Sequence, residues 1–346
     1  MRLAALDLGS NSFHALIADV GRAGSLAVIE RAKQMPRIGE AIFQTGFFSG
    51  ATLESALRAI GKLVPVIERN QPKAVLAVAT SAVRSARNGH VFLAEVRSQF
   101  GIDVQVISGD EEARLVYAGA RGQIGDSFGR ATLFDLGGGS LEVVLGDGSR
   151  ILHTASAPLG VLRAVADQPS SDPFSSPDLR MIERWASSQV AALLRPFRRH
   201  DLGEVVLCAG TARALRSVAR ALHLIPGSGE GSNRLSRDTL RLLIEHLARL
   251  PLAARRHVPG MNPDRADQVV HGAIILASVL DTVGVTRARV CRAALREGLI
   301  LQHARRQWSA GPDDSTSLIP LYALTGAAVR PPRPRMRGPL RPVKPS

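Results

Sequence analysis

The fold of this chain is decided by a short motif that occurs twice. The first copy is Asp7-Leu8-Gly9-Ser10-Asn11-Ser12, and the second, 128 residues later, is Asp135-Leu136-Gly137-Gly138-Gly139-Ser140. Each copy lies between two strand-like aliphatic runs, and the interval between them is the length of an ordinary domain. The repetition predicts an internal duplication in which each half contributes a strand, a turn and a second strand.

The pattern around the first copy alternates strands with helices. Phe13–Val20 and Val75–Ala79 have the aliphatic content of strands, whereas Thr52–Asn70 and Gly89–Phe100 have the apolar spacing of amphipathic helices. After Pro177 the helical spacing dominates. Because such alternation is typical of α/β proteins, we predict an α/β fold.

The chain has 346 residues, which is more than a single core normally supports, since cores seldom grow past roughly 250–300 residues. We therefore predict an N-terminal lobe at residues 1–125 and a C-terminal lobe at 126–309. Residues 310–346 are predicted to be a linker and a disordered tail. The last 17 residues contain six Pro, six basic residues and no acidic residue, a composition that cannot build a core.

The charge and composition limit the partners. The formal net charge is +14, of which the tail supplies six charges and the lobes the remaining eight, so a polyanionic partner is indicated. With 4% aromatic residues and no recognised nucleic-acid motif, we expect no sequence-specific nucleic-acid partner. Two cysteines cannot form a disulfide framework, and no signal peptide or long apolar run is present. We therefore expect a cytoplasmic protein without a membrane span.

The two glycine turns have the chemistry of anion-binding sites. Backbone N–H groups in a tight glycine turn converge on an anion, and neighbouring Ser and Asn side chains add donors. An aspartate cannot bind phosphate directly, so Asp7 and Asp135 are better explained as carboxylates that hold a divalent cation such as Mg²⁺. A polar hairpin turn without a ligand is the alternative for either copy alone, and the repetition argues against it.

Three further segments add candidate groups. Thr80 and Arg84 offer a hydroxyl and a guanidinium to phosphate oxygens. The acids Asp110-Glu111-Glu112 stand where a helix begins, where the macrodipole stabilises them, but a glutamate between two phosphate turns could also activate water. Gly210-Thr211 forms a third turn, which is either a phosphate contact or a plain strand-to-helix connection.

In their order along the chain, these motifs resemble those of the exopolyphosphatase and guanosine pentaphosphate phosphohydrolase family, in its short two-domain form. The motifs that carry the resemblance, which covers about residues 2–307, are Asp7–Ser12, Ala79–Arg84, Ile107–Arg114, Asp135–Ser140 and Ala209–Thr211. The resemblance implies an actin-like ATPase fold, with two duplicated, ribonuclease H-like lobes around a cleft. It also implies Mg²⁺-dependent release of a terminal phosphate, and a homodimer.

The resemblance also assigns roles to positions. It implies that Glu112 is the catalytic glutamate that activates water, and that Asp135 and Glu142 are acidic residues near the metal. It implies phosphate contacts at Ser10, Asn11, Ser12, Thr80, Arg84, Gly137, Gly138, Gly139, Ser140, Gly210 and Thr211. Leu141 and Arg213 depart from the family pattern, which usually has a hydroxyl residue at the first position and a small or hydroxyl residue at the second.

Several functions are compatible with these motifs. We predict an exopolyphosphatase that acts on inorganic polyphosphate. Guanosine pentaphosphate is the alternative substrate, because it also ends in a phosphoanhydride and the motifs do not separate the two. A sugar-kinase-like phosphotransferase is less well supported, since the third turn is a doubtful nucleotide contact. A non-catalytic polyphosphate- or nucleotide-binding actin-like protein would not need Glu112, because binding alone requires no base.

Overall fold

A computed structural model describes residues 1–22, 24–125, 129–229 and 231–309. These residues form two α/β units, each built on one mixed sheet. The segment predicted to be a linker and tail, 310–346, lies outside the described residues. Within the described ranges, no helix combines the length and apolar character that a bilayer crossing requires.

The first unit contains five strands and five helices among its described residues. The strands are β1 (Arg2–Leu8), β2 (Phe13–Val20), β3 (Leu26–Gln34), β4 (Ala74–Ala79) and β5 (Val104–Val106). The helices are α1 (Ile38–Thr45), α2 (Gly50–Arg69), α3 (Ser81–Ser85), α4 (Gly89–Phe100) and α5 (Gly109–Ile124). The sheet order is β3-β2-β1-β4-β5, with antiparallel pairing from β1 to β3 and parallel pairing from β1 through β4 to β5.

The second unit repeats this plan with one more strand. Its strands are β6 (Arg130–Leu136), β7 (Leu141–Asp147), β8 (Arg150–Ala157), β9 (Glu204–Cys208), β10 (Arg234–Ser236) and β11 (Arg287–Val290). Its helices are α6 (Val161–Asp167), α7 (Ser176–Leu193), α8 (Ala209–Ala221), α9 (Arg237–Ala248), α10 (Leu252–Arg255), α11 (Val269–Val283) and α12 (Leu295–Ser309). Short 3₁₀ turns lie at Arg195–Phe197 and Pro263–Arg265.

The strand order confirms the predicted duplication. The second sheet has the order β10-β11-β9-β6-β7-β8, so that β6, β7, β8, β9 and β11 occupy the places of β1 to β5. Antiparallel and parallel pairs also correspond, and β10 is an addition at the edge beside β11. The two motifs therefore follow equivalent central strands, β1 and β6.

Helices α5 and α12 join the two units. One apolar cluster combines buried residues of both sheets, such as Leu76 and Leu133, with residues of these two helices. The helices cross with their backbones in contact, because a Cβ on Gly298 would overlap the carbonyl oxygen of Leu115, and one on Gly119 would overlap that of Ala294. Helix α12 thus fixes the first unit beside the second.

Candidate active site

The two glycine turns meet between the sheets. β1 leads into the turn Gly9–Ser12, and β6 leads into the turn Gly137–Ser140. A Cβ on Gly138 would lie 3.2 Å from the Cβ of Asn11, and one on Gly139 would lie 2.5 Å from the Oγ of Ser81. Only residues without a Cβ let the second turn approach this closely, so the duplication places its two motifs in direct contact.

A cavity of about 110 Å³ lies at this contact. Its wall is formed by both turns, the segments that follow β4 and β9, the start of α5, and the start of α12. The lining residues are Asp7, Gly9, Ser10, Asn11, Ser12, His14, Thr80, Ser81, Glu112, Asp135, Leu136, Gly137, Gly138, Gly139, Ser140, Ala209, Gly210, Thr211, Arg213, Arg265, Ala294, Leu295 and Arg296. Most of the predicted site residues therefore share one cavity.

The strand register decides what faces each aspartate. In the first hairpin Asp7 lies opposite His14, and in the second Asp135 lies opposite Glu142. Directly opposed residues of an antiparallel pair point to the same face of the sheet. Glu142 is 1% exposed and does not line the cavity, and it accepts a hydrogen bond at 2.9 Å from the Oγ of Ser156.

Burial controls the charge of these acids. It raises the pKa of Asp7 to about 6, although the nearby Arg296 acts in the opposite direction. Burial raises the pKa of Asp135 to about 7, which Arg213 partly offsets. The pKa of Glu142 rises to about 8 through burial and the charge of Asp135. Acids held in this way bind a cation more readily than they carry an unbalanced charge.

Glu112 is the one buried member of its acidic run. Ser108 caps α5 by accepting a hydrogen bond at 3.1 Å from the backbone N–H of Glu111, so the three acids occupy the first helical turn as predicted. Asp110 is exposed, whereas Glu112 is 9% exposed and lines the cavity. Burial, and secondarily the charge of Glu142, raise the pKa of Glu112 well above its ordinary value.

Arg84 lies behind Glu112 and is not among the residues that line the cavity. Its Nη1 donates to the carbonyl oxygen of Ile107 at 2.6 Å and lies 3.5 Å from the Oε2 of Glu112. The sequence analysis predicted a phosphate contact for this guanidinium. In the structure its nearest charged partner is the carboxylate of Glu112, where it opposes the rise in that group's pKa.

Three arginines from the second unit also line the cavity: Arg213, Arg265 and Arg296. Arg296 is 9% exposed, and within the described residues none of the three forms an ion pair with a carboxylate. A Cβ on Gly210 would lie 2.5 Å from the Nη2 of Arg265, so this glycine admits the guanidinium. Arg213 appeared in the sequence only as a departure from a pattern, and the other two had no local signal.

Two carboxylate oxygens of the second hairpin are suited to a hard cation. Oδ1 of Asp135, which lines the cavity, and Oε2 of Glu142, which does not, are fully buried and have no hydrogen-bond partner among the described residues. Oxygen donors of this kind fit Mg²⁺. Among the described residues, no group of three or more His, Cys, Asp or Glu side chains is arranged as a complete metal site. A cation here would thus need ligands beyond the carboxylates, and Mg²⁺ commonly takes these from water and substrate phosphates.

Comparisons with known proteins agree with this arrangement. Residues 16–307 match the Ppx/GppA phosphatase family. Exopolyphosphatase 1 of Mycobacterium tuberculosis is 31% identical over 304 residues, covering 87% of this chain and 88% of the relative. Exopolyphosphatase 2 of the same species is 28% identical over 315 residues, covering 88% of this chain and 98% of the relative.

Solved structures give the same result. An exopolyphosphatase from Cytophaga hutchinsonii aligns with a TM-score of 0.81 at 25% identity, covering 88% of this chain and 98% of that one. The Aquifex aeolicus member of the Ppx/GppA family aligns with a TM-score of 0.73 at 22% identity, covering 89% of this chain and 98% of that one. Together with the duplicated sheets, these matches confirm both expectations drawn from the motifs: the fold is the actin-like ATPase fold, and the chain belongs to the Ppx/GppA phosphatase family.

Proposed function

We propose that this chain is an exopolyphosphatase, a phosphoanhydride hydrolase that releases the terminal phosphate of inorganic polyphosphate by attack of water. Its relatives named exopolyphosphatase, at up to 31% identity, support the substrate. The observation that carries the proposal is one cavity lined by buried carboxylates and by three arginines that have no carboxylate partner in the part of the chain that the structure describes. A polyanion binds to such arginines, while the carboxylates serve the cation and the water.

The binding roles follow from the donors in the cavity wall. We assign the terminal phosphoryl group to the two turns, whose hydroxyls and backbone N–H groups belong to Ser10, Ser12 and Gly138–Ser140. Gly137 shapes the second turn, since its N–H donates to the carbonyl oxygen of Ser140 at 3.0 Å. Thr80 and Gly210-Thr211 add donors beside these turns. The arginines then neutralise the phosphoryl groups that follow in the chain. Because little covalent chemistry is needed, positioning and electrostatics supply most of the catalysis.

A divalent cation completes the charge balance. Asp135, with Asp7 and Glu142, would hold Mg²⁺, and the buried unpartnered oxygens of Asp135 and Glu142 support this assignment. When bound, the cation offsets the negative charge that develops on the phosphate oxygens. Deprotonation of these acids is required for binding, so the raised pKa values make affinity for the cation increase with pH.

Glu112 is the proposed general base. It is buried and lines the cavity, and its Oε2 lies 3.5 Å from the Nη1 of Arg84, which is outside the cavity wall. Its raised pKa favours the protonated acid, whereas Arg84 favours the carboxylate that accepts a proton from water. A base with a raised pKa also drives proton transfer more strongly than an ordinary carboxylate does.

The decisive experiment measures phosphate release from long polyphosphate, short polyphosphate and guanosine pentaphosphate, with Mg²⁺ and with a chelator. We expect Mg²⁺-dependent release from polyphosphate, and a reduction of about 10²–10⁴-fold in kcat for Glu112→Gln, the range that one acid–base residue supplies. Glu111→Gln is the matched control, because that residue is adjacent, less buried and absent from the cavity wall. Faster release from guanosine pentaphosphate would instead favour the alternative substrate.

We also propose a homodimer in the cytoplasm, as the family resemblance and the composition implied. The dimer is tested by light scattering of the purified full-length chain, and the location by fractionation of cells that express it. A monomer at micromolar concentration, or recovery with the membrane fraction, contradicts the corresponding proposal.

A further inference from the structure

A buried hydrogen bond joins the first turn to the second unit. The Nδ2 of Asn11 donates to the Oε1 of Gln268 at 2.9 Å, across 257 positions of sequence. Asn11 is 5% exposed and Gln268 is 2% exposed. Since both side chains are almost fully buried, loss of either partner leaves a buried polar group unpaired.

The surroundings of Gln268 fix the direction of this bond. Gln268 lies directly before α11, and its Nε2 points to the carbonyl oxygen of Asp264 at 3.4 Å. Rotating the amide by half a turn would set the Gln268 oxygen against that carbonyl oxygen, which is unfavourable. Oε1 of Gln268 therefore faces Asn11, and the donor group of Asn11 is occupied.

The arrangement leaves one atom of the Asn11 side chain without a partner. Its Oδ1 is fully buried and accepts no hydrogen bond from any described residue, although Asn11 lines the cavity. The Cα of Gly138 packs against the base of this side chain, since a Cβ on Gly138 would lie 3.2 Å from the Cβ of Asn11. A carbonyl oxygen repels phosphate oxygens; it can coordinate a cation or accept from a hydrogen donor, and water is the hydrogen donor that hydrolysis requires.

We propose that Gln268 is a positioning residue for hydrolysis: it holds the Nδ2 of Asn11 so that the Oδ1 of Asn11 accepts a hydrogen bond from water that enters the cavity with the substrate. The inference rests on the proposed function, because it concerns the same cavity and the same water-dependent reaction. Asn11 then contributes to phosphate binding through its backbone, not through its side-chain amide.

A second contact between the same segments provides the matched control. Arg37, which precedes α1, forms an ion pair with Asp267, the neighbour of Gln268. Arg37 and Asp267 are partly exposed, and neither lines the cavity. Asp267→Asn therefore loosens the same connection between the two units without removing a partner of Asn11.

A double-mutant cycle with Gln268→Met and Asn11→Ala tests the inference. With polyphosphate and Mg²⁺, we expect each single variant to lower kcat about 10-fold, on the order of one lost buried hydrogen bond, with less than about a twofold change in KM. We expect the double variant to be no slower than Asn11→Ala, because Gln268 acts through Asn11. The fold-reduction in kcat caused by Asp267→Asn should multiply with that caused by Asn11→Ala. Thermal unfolding of each variant shows that it is folded, and Gln268→Leu replaces any methionine variant that is not.

Two outcomes overturn the inference separately from the proposed function. If the wild-type chain releases phosphate and the effects of Gln268→Met and Asn11→Ala multiply, Gln268 does not act through Asn11. If Gln268→Met changes KM and leaves kcat unchanged, the pair belongs to substrate binding and not to the placement of water. A wild-type chain that releases no phosphate from polyphosphate overturns the proposed function, and the inference falls with it.

Discussion

The hairpins β1–β2 and β6–β7 are equivalent in backbone and different in charge. Each places an aspartate opposite a residue seven positions later: Asp7 opposite His14, and Asp135 opposite Glu142. In the first hairpin the partner is an imidazole whose pKa is lowered well below its ordinary value by burial and by surrounding cations, so it is neutral. In the second hairpin the partner is a second carboxylate.

This difference shows how one duplicated unit serves two tasks. His14 shares a 2.8 Å hydrogen bond with the hydroxyl of Ser12, so the first hairpin keeps its turn polar and adds no second negative charge. Glu142 adds an acid beside Asp135, and the charge of Asp135, together with burial, raises the pKa of Glu142. The first hairpin is therefore better suited to an anion, and the second to a cation.

Among the changes that compare the two hairpins, the largest expected effect comes from removing the residue that distinguishes the second hairpin. We predict that Glu142→Gln lowers phosphate release about 10²-fold and raises the Mg²⁺ concentration needed for half-maximal rate, because it removes a carboxylate from the proposed cation site. The matched change in the first hairpin, His14→Gln, keeps a polar partner for Ser12 and should reduce the rate less than about 10-fold. Initial rates over a series of Mg²⁺ concentrations measure both effects.

Equal losses in the two variants would contradict the division of tasks between the hairpins. A comparable loss without any change in Mg²⁺ dependence would show that Glu142 contributes mainly through its effect on the pKa of Glu112. Circular dichroism of both variants provides the control for folding.

The sequence predicted the duplicated strands because their information is local. The aliphatic runs and the two glycine turns are each contained in about ten consecutive residues, and the pairing of β1 with β2 and of β6 with β7 follows from those short turns. The predicted helix Gly89–Phe100 is observed with the same bounds. Short elements such as α1, α3 and β10 were missed, since a few residues give too little periodicity.

The site was predictable only where its residues stand in motifs. Arg265 reaches the cavity from the 3₁₀ turn Pro263–Arg265, and Arg296 from the start of α12. Nothing in their own sequence neighbourhoods separates them from solvated arginines. The contact between Asn11 and Gln268 depends on how the two units pack, which short-range patterns do not encode. Arg84 was expected at phosphate because a guanidinium suits it; in the structure it lies 3.5 Å from Glu112, and its phosphate contact stays a prediction.

A smaller effect is expected from glycines that occupy different places in the second turn. A Cβ on Gly139 would clash with the ring of Phe43 and lie 2.8 Å from the Oγ of Ser10, whereas one on Gly137 would meet only the carbonyl oxygen of Ser140 at 3.5 Å. We predict that Gly139→Ala destabilises the chain by about 1–3 kcal/mol through overpacking, and that Gly137→Ala changes stability by less than about 1 kcal/mol. Urea unfolding followed by fluorescence measures both, and equal destabilisation would show that the turn-to-turn contact is not the cause.

The smallest effect is a difference between the two aspartates, and it appears in the pH dependence of stability without a divalent cation. The pKa values of Asp7, Asp135 and Glu142 are raised by burial to about 6, about 7 and about 8, so folding favours their protonated forms. Stability from these groups is fully present below their unfolded-state pKa values, near 4, and is lost as pH rises through the folded values. We therefore predict that, in a chelator, Tm falls between about pH 4 and pH 8.

The two aspartates should contribute unequally to that fall. The pKa of Asp135 is raised further than that of Asp7. Asp135→Asn should therefore reduce the fall of Tm with pH more than Asp7→Asn does. At pH 8 we expect the two variants to differ by about 1 kcal/mol in the free energy of unfolding, or roughly 2–4 °C in Tm. Added Mg²⁺ should raise Tm most at pH 8, where the acids are ionised and a cation replaces the lost protons. If Asp7→Asn flattened the profile as strongly as Asp135→Asn, the first hairpin would hold as much unbalanced charge as the second, and the contrast between them would rest on His14 and Glu142 alone.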